Sequence, residues 1–61
     1  MESAKEYKVE MLYRSMSAFY EVVREVYAYD ECDAESKARR KASRDSGFEI
    51  GCLYIVKVTQ L

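Results

Sequence analysis

From Phe48 to Val58 the chain alternates. Phe48, Ile50, Cys52, Tyr54, Val56 and Val58 occupy every second position, with Glu49, Gly51, Leu53, Ile55 and Lys57 between them. Alternation rich in β-branched and aromatic residues predicts a strand near 48–58. A strand is not self-sufficient. Its N–H and C=O groups need a neighbouring ladder, and a sheet needs about three strands to be stable alone in water. The residues before Phe48 must therefore supply further strands, and this requirement governs how the rest is read.

The stretch just before Gly47 is not one of them. Ala34, Ala38 and Ala42 recur every fourth residue, which predicts a helix near 33–46 with a narrow, flat apolar stripe able to lie close against a sheet. Asp30 or Asp33 suits the N-cap, and Gly47 sits where a left-handed C-terminal residue is expected. Asp30, Glu31, Asp33 and Glu35 gather at the positive end of the helix dipole. Lys37, Arg39, Arg40, Lys41 and Arg44 follow toward the negative end, each such charge contributing ~0.3–1 kcal/mol. The dipole accounts for the order of charges. It does not account for Lys37, Arg40, Lys41 and Arg44 standing at i, i+3, i+4 and i+7, on one face beside the alanines. That face reads either as a solvated surface or as a contact surface.

Residues 5–29 allow two readings. As a helix, Val9, Leu12, Met16, Phe19, Val23 and Val26 follow a 3-4 spacing, a coiled-coil seam of under three heptads. As strands, Tyr7, Val9, Met11 and Tyr13 alternate with Lys8, Glu10 and Arg14. After the polar "SMS", Tyr20, Val22, Val26 and Ala28 alternate with Glu21, Val23, Glu25 and Tyr27. The C-terminal strand decides between them, because only a hairpin supplies it with partners. The expected fold is α+β, in the order β-β-α-β, with strands near 6–14, 20–29 and 48–58. The sheet is antiparallel and three-stranded, its first strand central, and one helix packs on one face. The hairpin tip "RSMSA" is then an exposed loop carrying Arg14.

Composition narrows the function classes. A chain of 61 residues is one domain at most, 1–61, and it buries only about 60% of its unfolded surface. With 49% hydrophobic and 34% charged residues it is globular rather than disordered. A net charge of −1 gives the whole molecule no electrostatic reason to seek nucleic acid or an anionic membrane. No apolar run spans a bilayer, and "MESAKEYK" lacks the apolar core of a signal peptide, so a cytoplasmic protein is expected. Histidine is absent, which removes the usual general base and the commonest zinc ligand. Cys32 and Cys52 alone make neither a metal site nor a disulfide framework, and are expected to be reduced. No enzyme, metal or cofactor is expected.

The segment "VYAYDECDAESKARRKASRDSGFEI" carries a resemblance. Tyr27-Ala28 ends a strand, acids open the helix, Ala34 and Ala38 stand four apart, and Gly47-Phe48-Glu49-Ile50 leads into the last strand. In these features, and in "EYKVEM" near the start, the chain is similar to the small phage-encoded inhibitors of bacterial RNA polymerase, single-domain β-β-α-β proteins. It also resembles small phage anti-CRISPR-type inhibitors. The resemblance implies a phage or prophage protein that disables a host macromolecule by protein–protein contact in the host bacterial cytoplasm. One feature departs from that pattern. The polymerase inhibitors carry arginines on the strand after the Gly-Phe-Glu step, whereas here Gly51-Cys52-Leu53-Tyr54-Ile55 contains no base.

One helix covers only one face of a sheet. With Tyr7, Val9, Met11, Val22, Val26, Ala28, Phe48, Ile50, Tyr54 and Val56 beneath the alanines, the other face is expected to show Leu12, Val23, Tyr27, Tyr29, Leu53 and Ile55. Lys8, Glu10, Glu21, Glu25 and Lys57 would rim it. An apolar patch with a charged rim marks a partner site, and aromatic residues most often anchor one. Arg40 and Arg44 on the helix are expected as a secondary contact. A host bacterial protein is the expected partner: RNA polymerase or another nucleic-acid machine. The alternatives are a nucleic-acid-binding module using the basic helix face and a structural homodimer.

Overall fold

The computed structural model describes residues 3–61. Its elements run β1 (Lys5–Arg14), β2 (Phe19–Ala28), α1 (Glu31–Ser46), a single 3₁₀ turn (Ile50–Cys52) and β3 (Leu53–Gln60). The fold is α+β in the order β-β-α-β, with an antiparallel sheet in the order β2-β1-β3. Residues 5–28 form the hairpin rather than the helical seam. Its register is unbroken from Lys5 opposite Ala28 to Arg14 opposite Phe19. At the tip the Ser15 N–H donates to the Ala18 carbonyl at 3.0 Å, and Met16 is fully exposed.

The core lies between the sheet and α1. Tyr7, Val9 and Met11 come from the central strand, Val22, Val26 and Ala28 from β2, and Leu53 from β3. Ala34, Ala38 and Ala42 close it from above, with no exposed surface at all. The small side chains let the helix lie close to the strands, so the core is thin, and its largest fully buried side chains are Met11 and Val9. Tyr13, Phe48, Ile55 and Val58 pack against its margin, the Tyr13 and Phe48 ring centroids 4.3 Å apart.

Both helix ends are closed by local chemistry. The Asp33 N–H donates to Asp30 Oδ1 at 2.8 Å, which makes Asp30 the N-cap. Asp33 Oδ2 in turn accepts from the Tyr29 N–H at 3.1 Å and from Lys37 Nζ at 3.1 Å. At the other end Gly47 is left-handed (φ 71°) and its N–H donates to the Ser43 carbonyl at 2.8 Å. The Tyr29 amide, then Lys37, hold the Asp33 carboxyl below its ordinary range, with a smaller contribution from Arg40. A depressed native pKa means stability that is complete above the unfolded value, near pH ~4, and is lost as pH falls through the native one. Asp33→Asn is therefore expected to lower the melting temperature at neutral pH and to reduce its decline below pH ~4. Melting curves followed by circular dichroism across that range check it.

The last strand departs from expectation. Residues 48–58 do not form one strand: Ile50–Cys52 turn as a 3₁₀ helix and β3 begins only at Leu53. Within β3, Ile55 pairs with Met11 and Lys57 with Glu10, so Val56 is an extra residue in a β-bulge. The turn inverts the alternation and the bulge inverts it again. Leu53 and Ile55 face the helix, opposite Tyr13 and Met11, while Tyr54 and Val56 face away. Ile50 is exposed as well, whereas Phe48 packs on the core as expected, and Val58, on the same alternation, packs there too.

Cys32 and Cys52 are free thiols, the first exposed and the second half-buried. A disulfide closing a loop of this length contributes about 3 kcal/mol. Reductant is accordingly expected to leave the melting temperature unchanged, which a paired thermal scan with and without dithiothreitol checks.

Candidate binding surfaces

Two surfaces carry the candidate residues. The first is the sheet face opposite α1. Leu12 on the central strand lies between Glu21 of β2 and Tyr54 of β3, and Glu10 lies between Val23 and Lys57. Leu12, Val23 and Val56 line a shallow depression of about 170 Å³ with Glu10 and Glu21 at its sides. Tyr54 and Val56 stand out from it, Val56 60% exposed. Among the described residues no element covers this face, because α1 is on the other side.

The expected patch is therefore re-drawn. Leu12 and Val23 are where the alternation put them. Leu53, 3% exposed, and Ile55 are not: they belong to the helix-covered side, and Tyr54 and Val56 take their places. Tyr27 does face outward, but it stands four residues beyond Val23, past Glu25, about 13 Å along the strand. It borders the second surface instead. Tyr29 follows the end of β2 and lies against the start of α1, with Lys37 Nζ 5.4 Å from its ring centroid. No local pattern reveals the exchange of Leu53 and Ile55 for Tyr54 and Val56, since the bulge depends on pairing with β1.

The second surface is a groove of about 500 Å³ between α1 and the free edge of β2, lined by Glu25, Tyr27, Lys37, Arg40, Lys41 and Arg44. Its cations are only partly accounted for by the helix dipole, since Arg44 alone lies in the last turn. Lys37 Nζ donates to the Tyr27 carbonyl at 3.1 Å and Lys41 Nζ to the Glu25 carbonyl at 3.2 Å. Arg24, from the helix-facing side of β2, donates through Nη1 to the Val23 carbonyl at 2.8 Å and through Nη2 to Ser46 Oγ at 2.9 Å. Carbonyls of alternate residues point to the same side of a strand, so these three are the acceptors of the open edge. Arg39 does the same for β3, its Nε donating to the Leu53 carbonyl at 3.3 Å. Charged side chains over an edge oppose pairing with another strand. The spacing of Lys37 and Lys41 was visible in the sequence; their hydrogen-bond acceptors were not.

Arg40 and Arg44 differ from the lysines. Both are exposed, and Arg44 reaches only the neighbouring Asp45, at 3.8 Å, an exposed pair worth little. Their charge is open to the groove. Comparison with family models, with curated proteins and with solved structures finds no match for this chain.

Proposed function

We propose that the protein is a small, non-enzymatic inhibitor of phage or prophage origin that binds bacterial RNA polymerase in the host cytoplasm through its uncovered sheet face. The observation that carries this reading is the apolar depression of Leu12, Val23 and Val56 beside Tyr54, on a face that nothing among the described residues covers. Apolar and aromatic anchors in a charged rim are the anatomy of a protein–protein contact. The β-β-α-β order and the Tyr27-Ala28 and Gly47-Phe48-Glu49 steps support the polymerase as target through the resemblance. The arginines those inhibitors use are absent from β3, so the contact here rests on a different set of side chains. Glu10 and Glu21 beside the depression select a partner patch that is itself basic.

The test is direct. Purified chain is mixed with bacterial RNA polymerase, and co-elution and promoter-dependent transcription are measured. Co-elution with inhibition, both weakened by Val56→Glu at unchanged circular dichroism, supports the reading. Absence of both at micromolar concentrations refutes it, and a chain that elutes as a dimer buried through this face replaces it with self-association.

A further inference from the structure

We infer that the groove between α1 and the edge of β2 is a second binding site, for the phosphodiester backbone of a single-stranded nucleic acid. It is distinct from the sheet face and does not rest on the polymerase reading.

Hydrogen-bonding supply decides which ligand the groove takes. An open strand edge ordinarily offers donors and acceptors alternately, and a peptide strand uses both. Here the acceptors are already engaged: the Val23, Glu25 and Tyr27 carbonyls are held by Arg24, Lys41 and Lys37. The amides of the same residues share that edge, because N–H and C=O of one residue point to the same side in an antiparallel strand. What the groove presents to a newcomer is therefore donors: edge amides, the spare N–H bonds of two ammonium groups, and the Arg40 and Arg44 guanidinium groups. A ligand made of acceptors alone satisfies such a lining, and a phosphodiester chain is one. A peptide strand would have to displace the lysines to bring its own N–H groups to the carbonyls.

Length and flanking groups narrow the class. Lys37 to Arg44 extends ~10 Å along the helix, a track rather than a point site. At its Lys37 end Tyr27 and Tyr29 are both more than half exposed. Tyrosine rings beside a cationic track are what unpaired bases stack on, and paired bases have no free face to offer. Opposing charges set the strength. Asp33 holds Lys37 at 3.1 Å, Asp45 lies 3.8 Å from Arg44, and Glu25 lines the groove. Arg40 and Lys41, with Arg44 only weakly held by Asp45, are left as the phosphate contacts, so binding is weak and depends strongly on salt.

Fluorescence anisotropy with a labelled oligothymidine of about 12 nucleotides, within the usual single-strand site size, tests this. Affinity is expected to fall steeply between roughly 50 and 200 mM salt. The double change Arg40→Glu and Arg44→Glu is expected to lower it at least ~10-fold and to flatten the salt dependence, since each lost phosphate contact removes about 0.7 from the slope. Tyr27→Ala is expected to cost ~5-fold with the slope unchanged, as loss of stacking does. Arg40→Gln serves as a milder variant if the double one fails to fold. No binding at ~50 mM salt overturns the proposal. So does equal binding of heparin with no effect of Tyr27→Ala, which would make the groove a general polyanion site. Preferential binding of a polyglutamate peptide overturns it in favour of an acidic strand.

Discussion

Met11→Ala is expected to destabilise the fold by ~3–4 kcal/mol. Met11 sits mid-way along the central strand, paired on one side with Val22 and on the other with Ile55, and is 1% exposed. The buried residues of the helix are all alanines, so the helix has no large side chain to lean into the space a truncation leaves. Helix and sheet would have to approach further, which the close alanine contact already prevents, and the cavity therefore stays open. A domain of this size has only about 3–9 kcal/mol of stability in all. Urea unfolding followed by circular dichroism should show the midpoint falling by half or more. A loss under ~1 kcal/mol would mean that the core is looser than the packing of Ala34, Ala38 and Ala42 implies.

The second large effect separates neighbours. Leu53→Ala is expected to cost the fold ~2–4 kcal/mol, because Leu53 is buried against Tyr13 on the helix-covered side. Tyr54→Ala, one residue on, is expected to change stability by at most about 0.5 kcal/mol, since the side chain points away from the core and is half exposed. On the proposed reading its effect falls on the partner instead, about 2 kcal/mol, or roughly 30-fold in affinity, as for a central aromatic anchor. An unbroken alternation from Phe48 to Val58 requires the reverse, with Tyr54 structural and Leu53 free for binding. Measuring stability and polymerase affinity for the same pair of variants decides between the two arrangements. Equal destabilisation by both would remove the bulge at Val56 from the account of this sheet.

These effects also show where legibility in the sequence stops. The helix was readable almost to the residue because its signals are local. Asp30 reaches the N–H three positions on, Gly47 takes a left-handed conformation, and the alanines repeat within one element. The hairpin was readable because its two strands pair without a break, so alternation along each gives the face of every side chain. Leu12 and Val23 were placed correctly for that reason, and the antiparallel partner of the last strand followed from its need for a ladder. The facing of β3 is a different kind of property. Alternation states which residues share a face only while a strand is continuous, and whether it is continuous depends on its pairing with β1. Six apolar residues at every second position satisfy the pattern equally well with or without a turn at Ile50–Cys52 and a bulge at Val56. Burial against the helix chose the second, putting Leu53 and Ile55 inside. The basic face was likewise visible as a face, but only the tertiary structure gave Lys37, Lys41 and Arg24 their carbonyls, because a long cationic side chain has no local partner to declare. Local hydrogen bonds and unbroken periodicity are written in the chain; strand facing and edge capping arise between elements distant in sequence, and only the folded sheet decides them.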